Sequence, residues 1–195
     1  MSALITSLVA FPLAGFLVIA LLRPSNRVAG YIATTSVALA FGAAAIAFLT
    51  LVGMPAEERS ITPLLWGWVR SGGLDANVQF LYDPLSALMA LIVTGISMLV
   101  HLYSIEYMAG DRSYRRYFAV LNLFVAMMLL LVLAANYLLL LVGWAGVGLS
   151  SYLLIGHWRE RPGVAGAAVK AFVANTIGDL GLLLAMFIMV RASAA

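Results

Sequence analysis

The last apolar stretch of this chain carries Lys170, Asn175, Thr176 and Asp179, side chains of the kind that hold or pass a proton. A carboxylate inside a membrane span is unfavourable by several kcal/mol unless it is paired or hydrated, so it suggests a function by default. The alternative for Asp179 is a structural role, with its carboxylate satisfied by Asn175 and Thr176 about one turn away. We favour the functional interpretation.

A second set of polar side chains recurs at helical spacing further upstream: Ser86, Thr94, Ser97, His101 and Ser104. Such a stripe can line a hydrated path, or it can bond to a neighbouring helix. Of these side chains only the imidazole of His101 titrates near neutral pH, so it is the one that can exchange protons in the cell.

Small residues mark the apolar run between these two sets. Gly143, Gly146 and Ser150 fall on one face of a helix, and this pattern lets a neighbouring helix approach closely. We interpret these three positions as helix packing.

Composition excludes most other classes of protein. The chain is 64% hydrophobic and 10% charged, with a mean hydropathy of +1.06, which is typical of a polytopic membrane protein and excludes a soluble enzyme. It has no cysteine, and its two histidines, His101 and His157, are far apart in sequence, so we expect no metal site, redox centre or cofactor on this chain. Its basic residues form no patch for nucleic acid.

Six membrane spans follow from hydropathy. Asp83 and Pro84 form a typical helix start. The apolar run from Phe118 to Gly156 is roughly twice the thickness of the bilayer at ~1.5 Å per residue, so it must contain two helices with a reversal at residues 134–137. We expect spans at about residues 4–22, 28–52, 84–105, 118–133, 138–158 and 171–190.

The long connection before the third span has the pattern of a β-hairpin. Residues 64–70 and 77–82 are the expected strands, joined by a glycine turn at residues 71–73. Trp66 and Trp68 suit the level of the lipid headgroups. The hairpin is either a docking element for another subunit or a capped loop.

Basic residues predict the orientation, because cytoplasmic loops carry an excess of lysine and arginine. Eight of the eleven lie in or beside the connections after spans one, three and five, which places both termini and the hairpin in the periplasm. The fold class is therefore an all-α polytopic membrane protein, with six transmembrane helices and a short periplasmic β-hairpin between helices 2 and 3. The eight are Arg23, Arg27, Arg112, Arg115, Arg116, Arg159, Arg161 and Lys170.

One motif is specific to a family. The run Gly143-Trp-x-Gly-Val-Gly-Leu-x-Ser-Tyr-Leu-Leu-Ile-Gly156, followed by Lys170-Ala-Phe and Gly178-Asp179, resembles the antiporter-like membrane subunits of respiratory complex I, the proton-translocating NADH-quinone oxidoreductase. The similarity is greatest to the largest of them, chain L of the bacterial enzyme. Related subunits occur in Mrp-type cation/proton antiporters and membrane-bound hydrogenases.

The resemblance implies a multi-pass protein of the bacterial inner membrane, surrounded by lipid and by the other membrane-arm subunits of a complex. Members of the family are longer, with two inverted repeats that each enclose part of a hydrated proton path. This chain would supply the N-terminal part: residues 1–83 with two leading helices and the hairpin, and residues 84–195 with the third helix and the first part of a repeat.

The chain departs from the family at three charged positions. Ala145 stands where the family usually has a glutamate, Ala135 where it often has an aspartate, and Thr176 where it often has an arginine. In the family that glutamate pairs with a lysine and gates proton movement, a role that alanine cannot fill. Two hypotheses therefore remain open: the chain contributes to a proton path, or it is a non-conducting piece for packing and assembly. The candidates for the path are Asp179, Lys170, His101, Ser104 and Thr176.

Overall fold

The computed structural model describes residues 1–71 and 74–193, and six long helices account for most of them. Each is long and apolar enough to cross a membrane, which confirms the predicted fold class of a polytopic helical protein. The helices are α1 (Ser2–Leu22), α2 (Asn26–Val52), α3 (Pro84–Tyr107), α4 (Tyr114–Val132), α5 (Tyr137–Ile155) and α6 (Val164–Ser193). A short 3₁₀ turn, Ala56–Glu58, follows α2.

Several helix ends differ from the expected span limits, and α4 begins at Tyr114, four residues before the expected start. Helix α5 ends at Ile155, before the expected Trp158, and α6 begins at Val164 instead of about residue 171. Hydropathy marks the apolar part of a helix, whereas the alanine-rich segment after Gly163 has a high helix propensity of its own. Lys170 therefore lies within α6 and not at its boundary.

Side-chain caps fix the starts of α3 and α5. The Asp83 carboxylate accepts a hydrogen bond of 2.8 Å from the amide of Ser86, and the Ser86 hydroxyl accepts one of 2.8 Å from the amide of Asp83. This reciprocal pair, with Pro84 at the first position, confirms the predicted helix start. Asn136 caps α5 in the same way, accepting from the amide of Leu139 at 2.9 Å.

The predicted β-hairpin is present between α2 and α3. Strands β1 (Leu64–Ser71) and β2 (Leu74–Gln79) pair antiparallel. Of the turn expected at residues 71–73, Ser71 is the last residue of β1, and Gly72 and Gly73 lie outside the described residues. Backbone bonds from Leu81 to Leu133 (2.8 Å) and from Ala135 to Gln79 (3.1 Å) tie the end of the hairpin to the α4–α5 turn. The hairpin and that turn therefore lie at the same end of the bundle.

The connections after α1, α3 and α5 meet at the other end. Arg115, in the first turn of α4, donates to the carbonyl of Arg23 at the end of α1 (2.9 Å). Asp111, in the α3–α4 connection, accepts from the Trp158 indole beyond α5 (2.8 Å). The six helices thus alternate in direction, as six membrane spans require.

Helices α1 to α4 pack into one group, α5 packs on α4, and α6 packs on α5. Alanines on α2 allow this close approach, because Ala33, Ala40, Ala44 and Ala47 are fully buried. Helix α6 is different: within its described part Ala168 is the one buried residue.

Candidate functional site: a buried polar cluster between three helices

A connected group of polar side chains lies between α2, α3 and α4. His101 on α3 and Asn122 on α4 are fully inaccessible to solvent. His101 Nε2 lies 3.0 Å from Asn122 Oδ1, and Asn122 Nδ2 donates to the hydroxyl of Ser36 on α2 at 3.0 Å. We call these three residues the His101 cluster.

The backbone completes the His101 cluster at both ends. His101 Nδ1 lies 2.7 Å from the carbonyl oxygen of Ser97, and the Ser36 hydroxyl donates to the carbonyl of Ala33 at 2.8 Å. Gly15 of α1 closes the fourth side, where a Cβ would collide with the Asn122 amide and the Ser36 hydroxyl. A larger residue at this position of α1 would therefore displace the Asn122 amide and the Ser36 hydroxyl.

The His101 cluster can satisfy both protonation states of the imidazole. As placed, both ring nitrogens face oxygens that can only accept, the Ser97 carbonyl and Asn122 Oδ1, which suits an imidazolium that donates twice. A half-turn of the Asn122 amide would bring its NH₂ group to Nε2 and its oxygen to the Ser36 hydroxyl, which suits a neutral imidazole. Neither protonation state then leaves a buried polar group without a hydrogen-bond partner. Such an unpaired group would destabilise the fold by about 1–3 kcal/mol.

The predicted α3 stripe is buried against neighbouring helices. Thr94 is fully buried and donates to the carbonyl of Ala90 on its own helix (2.6 Å). The Ser104 hydroxyl, one turn beyond His101, lies 3.0 Å from the hydroxyl of Tyr117 on α4. Polar contacts between α3 and α4 therefore continue from His101 toward the α3–α4 connection.

A second cluster, the Asp111 cluster, joins that connection to the end of α5. Asp111 accepts from the Trp158 indole and contacts His157 Nε2 at 3.2 Å. Partial burial alone would raise the pKa of Asp111, but the hydrogen bonds from Trp158, from the amide of Ser113 and from His157 outweigh it and hold the pKa below its usual value. The Asp111 carboxylate therefore links the α3–α4 connection to the α5–α6 connection.

The structure does not bring the other proton-path candidates to the His101 cluster. Lys170 and Thr176 are exposed on α6, and the Thr176 hydroxyl donates to the carbonyl of Phe172 on its own helix (2.9 Å). Asp179 is half-buried and accepts a long bond of 3.4 Å from Asn175, the neighbour expected from the sequence. These three residues lie on the outermost helix of the bundle.

The small residues of α5 lie where two helices approach closely. A Cβ at Gly143 would come within 2.6 Å of the backbone nitrogen of Leu131 on α4, and one at Gly146 would meet Met127. Ser150 is buried, and its hydroxyl donates to the carbonyl of Gly146 (2.7 Å). Gly148 faces Asn175 of α6.

At the positions where the family carries charge, the structure has no charged group. Ala145 is exposed on α5, one turn before Gly148. Ala135 lies in the α4–α5 turn, where its amide donates to the hairpin. Among the described residues, no group of three His, Asp or Glu side chains is placed to hold a metal ion.

Asn122, Ser36 and the Asp111 cluster were not among the residues predicted from the sequence. Asn122 had a signal, since it is the one strongly polar residue in the apolar run from 118 to 132. Ser36 and Asp111 had none, because their importance depends on which helices become neighbours.

Comparison with known proteins gives the family. Residues 68–118 match the family model described as NADH-Ubiquinone oxidoreductase (complex I), chain 5 N-terminus. Residues 134–194 match the model NADH:quinone oxidoreductase/Mrp antiporter, TM. The chain belongs to the antiporter-like membrane subunits of complex I and Mrp complexes. This confirms the resemblance carried by the Gly143–Gly156 motif.

Relatives within this antiporter-like family are much longer. NADH-quinone oxidoreductase subunit L of Mycobacterium tuberculosis is 45% identical over 93% of this chain, and subunit L of Escherichia coli is 41% identical over 91% of it. The chain spans 29% of the length of each. A solved Mrp complex from Dietzia has a chain of the same fold, with a TM-score of 0.77, 26% identity, and 98% of this chain and 20% of that chain covered.

Proposed function

We propose that this chain forms the N-terminal part of an antiporter-like subunit in the membrane arm of a proton-translocating NADH:quinone oxidoreductase. The observation that carries the proposal is the similarity to subunit L over more than nine tenths of the chain. The electron-transfer chemistry belongs to partner subunits. This chain either takes part in moving protons or supports the helices that line the proton path. The host membrane is the bacterial inner membrane, with both termini in the periplasm.

Within that function the His101 cluster is the proton-handling site of this segment. It combines a titratable ring with an amide and a hydroxyl that can rotate to satisfy either protonation state. Helix α6 carries Lys170 and Asp179 on a largely exposed surface, which suits contact with the remainder of a longer subunit. Ala145 cannot supply the titrating carboxylate, whereas His101 is fully buried and carries a ring that titrates near neutral pH.

An Mrp-type cation/proton antiporter is the second candidate function, favoured by the structural likeness to the Dietzia Mrp complex. Inverted membrane vesicles distinguish the two. A complex I subunit supports proton uptake driven by NADH and abolished by a quinone-site inhibitor. An Mrp subunit supports sodium-driven proton exchange without NADH. Sodium-driven exchange in the absence of NADH, with no NADH-driven uptake, would reject the first proposal.

A further inference from the structure

Four arginines surround one cleft where α1 ends and α4 begins. The cleft has a volume of about 460 Å³, and Arg23, Arg112, Arg115 and Arg116 lie around it. We name it the arginine cleft. In the part of the chain that the structure describes, none of these guanidinium groups makes a salt bridge with a carboxylate. Four guanidinium groups therefore lie around a single concave surface, and the carboxylates Asp111 and Glu160 line a neighbouring pocket with Arg112 and Arg116.

The inner wall of the arginine cleft is apolar. Phe16 and Ile19 contribute from α1, and Ala119 and Val120 from α4. Ile19 lies one turn deeper in the bundle than Arg23, and Ala119 lies one turn deeper than Arg115. The cleft is thus basic at the level where the helices end and apolar further into the membrane.

We propose that the arginine cleft binds an anionic phospholipid, with the headgroup phosphate among the arginines and the upper part of an acyl chain against the apolar wall. Guanidinium groups bind phosphate through two parallel hydrogen bonds, and basic pockets between membrane helices select anionic lipid headgroups. The site is independent of the proton path and requires only that this end of the bundle meets the lipid headgroups.

A free phosphate ion shares the headgroup chemistry, and the apolar wall favours the lipid. An inorganic anion would leave Phe16, Ile19 and Val120 uncovered, whereas an acyl chain covers them. The other alternative is a general attraction of arginines to the membrane surface. It predicts that removing any arginine at this end lowers lipid crosslinking equally.

Photo-crosslinking in the assembled complex tests the proposal. The probe is phosphatidylglycerol with a photoreactive group near the top of an acyl chain, and crosslinked peptides are mapped by mass spectrometry. The test variant is Arg23→Gln with Arg116→Gln. Arg115 is left intact because it bonds to the carbonyl of Arg23. The matched control is Arg27→Gln with Arg159→Gln, which removes the same charge at the same end but outside the arginine cleft.

We expect crosslinks to the Phe16–Ile19 and Ala119–Val120 segments. In the cleft variant they should fall by about tenfold or more, because two of the four arginines that attract the anionic headgroup are lost. The control should retain them, and Arg23→Lys with Arg116→Lys should recover most of the signal. A phosphatidylcholine probe should label far less, and excess inorganic phosphate should not compete.

Three results would overturn the proposal. Equal loss in the cleft variant and the control would mean general surface attraction. Equal labelling by phosphatidylcholine would mean that the headgroup charge is not recognised. Full displacement by inorganic phosphate would make the cleft an anion site and not a lipid site.

Discussion

At the scale of single residues, Asn122 determines which protonation states of His101 have a hydrogen-bond partner. Its amide is the group that can turn to offer either an acceptor or a donor to the imidazole, and the Ser36 hydroxyl adjusts to both orientations. A side chain of similar size that can only accept would remove that choice.

Asn122→Asp makes this replacement. A carboxylate accepts but does not donate, so it pairs with a protonated His101 and holds it in that state. We expect NADH-driven proton uptake by inverted vesicles to fall relative to wild type at equal amounts of assembled complex. Thr34→Ala is the control, since it removes a hydroxyl on α2 that bonds to the carbonyl of Gly30 on its own helix. Full pumping by Asn122→Asp would show that His101 does not need to change its protonation state.

At the scale of elements, the sequence predicts where the helices and strands lie but not which faces meet. Glycine spacing indicated a packing face on α5, and the β-hairpin followed from its strand pattern. The polar stripe on α3 predicted a polar face, while its partner Asn122 could be found only after α3 and α4 were neighbours. The start of α6 was predicted too late, because hydropathy does not register a helix that extends beyond the apolar part of the span.

Gly143 controls the approach of α4 and α5. A Cβ there would lie 2.6 Å from a backbone nitrogen of Leu131, which cannot move aside as a side chain can. We expect Gly143→Ala to lower the thermal stability of the assembled complex, by the equivalent of about 1–3 kcal/mol. Gly42→Ala is the control, because no atom lies within 4 Å of its Cβ position, and it should leave stability unchanged or raise it by up to about 1 kcal/mol. Equal effects of the two substitutions would contradict this packing.

The Asp111 cluster makes the contact between the α3–α4 and α5–α6 connections sensitive to acid. Because the folded state lowers the pKa of Asp111, its contribution to stability is full above the ordinary pKa of about 3.9 and is lost as the pH falls through the folded value. We expect the melting temperature of the wild type to fall more steeply below about pH 4 than that of Asp111→Asn. Parallel curves for the two proteins would show that Asp111 does not stabilise the native state through its charge.

At the scale of the whole molecule, the alternation of the helices is fixed by contacts at both ends, and the orientation in the membrane is a proposal from the basic residues. The chain has no cysteine, so a single cysteine can be introduced at an exposed position on each side. Ser60→Cys should react with a membrane-impermeant reagent added to the periplasmic side, and Ala109→Cys should not. The reverse pattern would invert the topology and place the arginine cleft in the other leaflet.

The central claim is that the His101 cluster handles protons in a subunit that couples to quinone reduction. The most direct measurement is the number of protons translocated per electron by inverted vesicles containing His101→Gln, with Thr94→Val as control. Thr94 is equally buried on the same helix but bonds to its own backbone. We expect His101→Gln to lower this ratio at an unchanged amount of assembled complex, and Thr94→Val to leave it at the wild-type value. A wild-type ratio in fully assembled His101→Gln would contradict the claim and leave this segment a scaffold.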